Sequence, residues 1–329
     1  MPLILVFLLI FSLIFLTNVA EARANEKLKR GLNWLLLLFN LPFFLMGLVL
    51  LLVPAEQIDA AETGLALTAY RPAGLAVLLT AVWGLLVTLP EVRRLLARWI
   101  PLDPASPVHT LALMLSGYLI GNNAVSLTQG GLQGLAEASE AQGILDLLGY
   151  GVLYLALALA GVGIFIRRSG WKLLDRLGLE KPTLAQLRSS LPWVALMLVV
   201  QWVAGALFLL TNPEEAEVLD NLNTLLLGNL DTVGEWLVLA ITTSVGEEIL
   251  FRGAIQPVLG LWLTAIVFTF AHIQYGLTPA TAAVFVIAII LGLVRRRNNT
   301  SVAIFVHFVY NFVLGLLTLL LPYLESLTQ

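Results

Sequence analysis

Three short segments of this sequence hold residue types that move protons, activate water or bind metals, and each lies inside an apolar run. The first is Gly246-Glu247-Glu248-Ile249-Leu250-Phe251-Arg252, the second Phe268-Thr269-Phe270-Ala271-His272, and the third His307-Phe308-Val309-Tyr310-Asn311. A charged side chain in a bilayer-spanning helix costs ~2.5–3.5 kcal/mol on insertion scales, so such groups face a wet cavity or one another. Glu248 and Arg252 stand four residues apart in the acid-before-base order that favours an ion pair. Adjacent residues of an α-helix differ by about 100° in direction, which leaves Glu247 free to face a cavity. Phe268 and His272 share one helix face, as do His307 and Asn311. Taken singly, each segment has a plainer use: a helix-end ion pair with a snorkelling arginine, a satisfied histidine, or a hydrogen bond between helices. His109, the remaining histidine, reads as interfacial.

The elements that must position these groups follow from composition. Of 329 residues 59% are hydrophobic and 12% charged, against about 25% charged in an ordinary soluble domain. With a mean hydropathy of +0.92, this excludes a soluble globular protein, a disordered chain and a basic nucleic-acid binder. The absence of cysteine excludes disulfides, thiol catalysis and Cys-ligated metal. The expectation is an all-α polytopic transmembrane bundle. About 20 apolar residues cross the hydrocarbon, and roughly ten candidate spans can be marked, at 2–19, 32–53, 72–89, 107–127, 145–166, 190–211, 234–256, 258–273, 279–294 and 300–322. The eighth and ninth are short, which allows a re-entrant or broken segment there.

All the basic residues except Arg71 fall on one side of this count. Basic loops face the cytoplasm, so both termini are expected outside. The first apolar stretch lacks a preceding Lys or Arg and reads as a retained helix rather than a signal peptide. The basic loop 167–189 divides the chain into accessory helices at 1–166 and a site-bearing bundle at 190–322. Within the loop, Trp171, Leu173, Leu174 and Leu177 interleave with Lys172, Asp175 and Arg176, the pattern of a short amphipathic helix at the membrane interface.

The three segments in this order, Glu-Glu-x-x-x-Arg, Phe-x-x-x-His and His-x-x-x-Asn, resemble the CPBP family of type II CAAX prenyl endopeptidases and Abi-like proteins over about residues 183–322. The resemblance implies an intramembrane endopeptidase acting on a membrane-associated, in some relatives lipidated, protein or peptide. It implies Glu247 as general base and His272 as its partner on water or proton. His307 and Asn311 become oxyanion donors, and Glu248 with Arg252 and Phe268 form the supporting layer. A metal-free reaction is favoured. The rival is a zinc site built from Glu247, His272 and His307 with water in the fourth position. A proton- or ion-coupled transporter and a non-catalytic immunity or scaffold protein are the alternatives from other classes. The compact loops and the breadth of the family suggest a bacterial plasma membrane, with the site opening towards the cytoplasm. Counted along straight helices, Glu247 and His307 lie ~14 Å deep and His272 ~20 Å deep, and a break in the eighth span would bring them level.

Overall fold

The computed structural model describes residues 2–54, 57 and 69–326. Among them there are only helices, turns and one isolated bridge. The chain is an all-α integral membrane bundle. In order it forms α1 (Pro2–Ala22), α2 (Glu26–Leu52), α3 (Tyr70–Thr88), α4 (Pro90–Leu96), α5 (Pro107–Leu127), α6 (Gly131–Glu137), α7 (Ile144–Gly161), α8 (Trp171–Leu177), α9 (Leu184–Thr211), α10 (Pro213–Leu227) and α11 (Val233–Glu247). A π-helical segment, Glu248–Ile255, leads into α12 (Gln256–Phe270). After a 3-10 turn at Ile273–Tyr275 come α13 (Pro279–Arg297) and α14 (Thr300–Ser326).

The helices begin where the sequence supplies acceptors for their first free N–H groups. Asn25 accepts from the amides of Lys27 and Leu28, and Ser106 accepts from His109 ahead of Pro107. Thr183 with Gln186 and Thr232 with Glu235 form reciprocal capping boxes at α9 and α11.

Nine helical stretches among the described residues are long and apolar enough to cross a membrane, one fewer than the sequence suggests. The seventh and eighth expected spans run together as Val233–Phe270. They do not form one straight rod. Gly260 has φ 73° and ψ 178°, a conformation essentially confined to glycine, and the chain folds back on itself there. Phe251 and Phe268 consequently meet, with ring centroids 4.9 Å apart. The arm after the turn has only ten residues to Phe270, ~15 Å of helix. The eighth element is therefore a short, broken arm, in keeping with its brief apolar run.

The π segment has an identifiable cause. Pro257 lacks the N–H that would bond to the Gly253 carbonyl, and its ring crowds that carbonyl. The helix widens instead, and the Gln256 amide bonds to Phe251 O, five residues back. The two carbonyls at the wide turn find an outside donor: Arg176 of α8 donates to Gly253 O at 2.7 Å and Ala254 O at 3.2 Å. The same loop then grips the start of α14, where Thr300 donates to Leu177 O at 2.6 Å and to Gly178 O at 2.9 Å. The amphipathic helix expected in loop 167–189 is α8. It is a strap as well as a surface element, since Leu177 is fully buried.

The central core joins both parts of the sequence. Ile14 of α1, Val87 of α3 and Leu113 and Met114 of α5 pack in one cluster with Phe251, Leu259, Phe268 and Val284. The stretch Val233–Phe270 is the most enclosed span, 56% of its apolar window being buried against 17–44% for the others. The three segments singled out by their chemistry are thus at the centre of the bundle.

Candidate active site

The reversal at Gly260 sets the height of the groups beside it. Glu247 lies thirteen residues before the turn and His272 twelve after it, so the two arms carry them to nearly the same level. The break in the short eighth span does what the depth count required of it. His272 Nε2 stands 3.8 Å from Glu247 Oε2. α14 runs antiparallel to α11, which places His307 beside Glu248 and Asn311 beside Thr243.

Glu248 is fully buried and organises the supporting side. Its Oε1 accepts from Arg252 Nη1 at 3.0 Å and from His307 Nδ1 at 2.9 Å. Arg252 is itself buried and donates through Nη2 to Ala288 O at 3.2 Å, tying the π segment to α13. Its guanidinium carbon lies 4.3 Å from the centre of the Phe268 ring, a cation–π contact of the kind that strengthens away from water. The i,i+4 pair expected from the sequence is therefore present, although on a π rather than an α segment.

Phe268 is more central than a supporting residue on one helix face. Its ring stacks on His272 with centroids 4.5 Å apart and lies 6.5 Å from His307. Phe251 meets it edge-on, and Tyr154 of α7 meets Phe251 edge-on in turn, with centroids 6.2 Å apart. On its other side His272 lies parallel to Tyr275, with centroids 6.5 Å apart.

Hydrogen bonding fixes which ring nitrogens face the site. His272 Nδ1 lies 2.9 Å from Phe268 O. A carbonyl only accepts, so Nδ1 carries hydrogen and the neutral ring presents the lone pair of Nε2 to Glu247. His307 Nδ1 is likewise engaged by the Glu248 carboxylate, leaving its Nε2 free. Asn311 donates one amide hydrogen to Thr243 Oγ1 at 2.9 Å and retains a second. Thr243 passes its own hydrogen to Leu239 O at 2.8 Å.

All seven residues selected from the sequence thus lie in one neighbourhood: Glu247, His272, His307 and Asn311, with Glu248, Arg252 and Phe268. His109 does not join them. It accepts from the Asp103 amide at 2.9 Å in the turn before α5. Thr243, Tyr275 and Tyr154 were not anticipated. Thr243 precedes Glu247 by one helical turn and so shares its face, a signal present in the sequence. Tyr154 comes from a distant helix and leaves no local signal. Gly151 and Gly246 let α7 approach closely enough to bring it there, since a Cβ on Gly246 would come within 3.1 Å of Gly151 Cα.

Among the described residues no three His, Asp or Glu side chains are arranged to hold a metal ion.

The fold and this neighbourhood define an integral membrane protein with a carboxylate–histidine site enclosed by its helices. Residues 229–313 match the family model described as type II CAAX prenyl endopeptidase Rce1-like. That segment contains all seven residues, and over it the chain is similar to this family of endopeptidases. The match is shorter than the 183–322 suggested by the motifs and leaves α1–α10 outside it. No curated protein and no solved structure matches the chain.

Proposed function

We propose that the chain is an intramembrane endopeptidase that cleaves a membrane-associated protein or peptide with water activated by Glu247 and His272. The observation that carries this reading is two acceptors facing each other. Glu247 Oε2 is buried without a hydrogen-bond partner, and the lone pair of His272 Nε2 lies 3.8 Å away. A water 2.8 Å from both atoms would see them at an angle of about 85°. Both of its hydrogens would then point at protein, leaving an oxygen lone pair for a carbonyl carbon.

The step follows from that arrangement. The water oxygen bonds to the scissile carbonyl carbon as its proton passes to Glu247 or His272, and the carbonyl π electrons become an oxyanion. The free hydrogen of Asn311 Nδ2 is one donor on α14 for that charge; the other is the Nε2–H of a doubly protonated His307, whose Nδ1–H the Glu248 carboxylate accepts. The oxyanion collapses, the C–N bond breaks, and the proton held by the Glu247–His272 pair goes to the leaving amine. Arg252 and Glu248 hold His307 and the π segment in place. The scheme runs through side chains alone, so purified active protein should contain no stoichiometric metal.

The basic residues cluster in two groups, Lys29, Arg30, Arg93 and Arg94 in one and Arg167, Arg168, Lys172 and Arg176 in the other, the latter with Arg295 of α13 close enough to act on Arg176. On the rule that basic loops face the cytoplasm, the loops that carry these residues are cytoplasmic, both termini are outside and the site opens inward. The test is Glu247→Gln, followed by peptide profiling of membranes with and without the active protein. Loss of cleavage products with an unchanged thermal midpoint supports the reading. Full cleavage by Glu247→Gln overturns it, and Glu247-dependent ion flux in proteoliposomes would reassign the site to a carrier.

A further inference from the structure

Two cavities lined by basic residues lie outside the candidate active site. The smaller, ≈ 450 Å³, is lined by Lys29, Arg30, Arg93 and Arg94 with Glu26. Its charges are largely engaged: Lys29 pairs with Glu26, Arg94 pairs with Glu91, and Arg93 donates to Pro104 O, Val87 O, Thr88 O and Asn33 Oδ1. The larger, ≈ 640 Å³, lies where the end of α1 meets α8, and Arg167, Arg168, Lys172 and Arg176 line it against one carboxylate, Asp175. Here four cations meet a single lining carboxylate, Arg168 donating to Val162 O at 2.6 Å and Arg176 to the π segment. Arg176 is pushed down to about 10 by burial and then by Arg168, Arg295 and Arg167. Arg167 is paired with Glu21 at 2.5 Å, and Lys172 is exposed.

Exposed aromatic residues flank the lining residues in sequence. Phe165 is 87% exposed and Trp171 84% exposed, one on each side of the basic run. Trp is a residue of the headgroup level, and Phe belongs to the apolar face of interfacial segments. Phe165 is held outward at φ 62°, an unfavourable conformation for a bulky residue. It is enforced by a tight turn in which Gly163 O accepts from the amides of Ile166, Arg167 and Arg168. The turn presents two guanidiniums inward while the ring points away.

We infer that the cavity lined by Arg167, Arg168, Lys172 and Arg176 binds the phosphate ester of an anionic lipid headgroup. Guanidinium groups supply the forked donors that phosphate oxygens accept, and basic pockets at the cytoplasmic boundary of membrane helices suit anionic headgroups. The volume accommodates a glycerophosphate group, and Phe165 and Trp171 would flank its acyl chains. The site abuts the active-site scaffold, because Arg176 lines the cavity and also caps the π segment at Gly253 and Ala254.

The test uses the purified full-length protein in neutral detergent and follows its thermal midpoint. Short-chain phosphatidylglycerol should raise the midpoint, as any ligand of the folded state does, while short-chain phosphatidylcholine should leave it unchanged. Lys172→Gln, at an exposed position, should raise the half-saturating phosphatidylglycerol concentration about five-fold, and Arg168→Gln added to it should raise it further. Lys172→Glu should weaken binding more than Lys172→Gln and serves as the second variant if the double one does not fold. Equal responses to the two lipids, or unchanged half-saturation in the variants, overturn the proposal. A response to inorganic phosphate as strong as that to phosphatidylglycerol overturns the lipid assignment in favour of a soluble phosphate compound.

Discussion

The first five helices and the helices of the site both bury polar side chains, but they treat them in opposite ways. Asn40 of α2 is fully buried, donates to Leu36 O and Met114 Sδ, and accepts from Tyr118. Asn18 of α1 donates to Ile14 O and across to Ala160 O of α7. Around the site the picture reverses. Among the described residues, the buried side-chain atoms without a partner are Glu247 Oε2, Glu248 Oε2, Arg252 Nε, Gln256 Oε1, Thr264 Oγ1 and Arg295 Nε, all from α11 to α13. A partnered polar group joins helices in a bilayer, whereas an orphaned one costs free energy and calls for an explanation. The backbone divides in the same way. α1, α3 and α5 run without a break, while the site is framed by a π segment, a reversal at Gly260 and a 3-10 turn. Regular, satisfied helices form the frame, and the irregular, unsatisfied ones carry the candidate chemistry.

The sharpest way to break this contrast is to remove the two acceptors that face each other. Glu247→Gln and His272→Ala should each lower kcat by roughly 10²- to 10⁴-fold, and the double variant should be little worse than either alone, because both hold one water. Additive losses in single-turnover assays would separate the two residues and end the shared-water scheme. Next in size is Arg252→Met, which leaves Glu248 buried with His307 as its remaining partner. Breaking a buried pair from one side costs about 3–5 kcal/mol, read as a lowered midpoint in denaturant. Adding Glu248→Gln should return much of that loss, since the stranded charge is then gone.

Much of this was legible in the sequence, and the reasons are particular. The spans could be found because the bilayer imposes length and apolarity on every crossing. Glu247, Glu248 and Arg252 stood out because charge is expensive there, and i,i+4 spacing survives widening from α to π closely enough that Glu248 still reaches Arg252. Less accessible was anything set by distant backbone. Pro257 marks a disturbance, yet the donor that makes the π segment tolerable, Arg176, is about eighty residues away in a loop that reads as a surface linker. Ala288 contributes to the site only through its carbonyl, which no side-chain pattern can reveal. Gly260 looks like many glycines in membrane helices until its dihedrals show that the chain turns there.

Two variants test those hidden supports, with smaller effects. Gly260→Ala places a Cβ at φ 73°, 3.2 Å from Pro101 Cδ. The strain of ~1–3 kcal/mol should fall on the level of His272, so kcat should drop along with stability. An unchanged kcat would mean that the reversal does not set the height of the site. Arg176→Met strands the Gly253 carbonyl that Pro257 has already deprived of its helical donor, at ~1–3 kcal/mol. Measured without anionic lipid, kcat should fall more than KM rises, and Arg176→Lys, which reaches one carbonyl, should recover part of the rate.

The smallest effect is expected in the frame, and it is the outcome that most directly checks the contrast. Asn40→Ala removes a buried amide whose three partners are all in or beside the first five helices. Tyr118 then loses its acceptor, which costs about 1–3 kcal/mol if the hydroxyl stays buried. That loss should appear in the thermal midpoint and nowhere else. Asn40 shares no hydrogen bond or ion pair with Glu247, His272, His307 or Asn311, and sites without shared partners act independently. A kcat/KM within two-fold of the parent, roughly 0.4 kcal/mol, would place the first helices in a purely supporting role. A larger fall would show that the polar contacts of the frame reach the site through the common core of Leu113, Met114, Phe251 and Phe268, and the division between frame and chemistry would have to be redrawn to include α2 and α5.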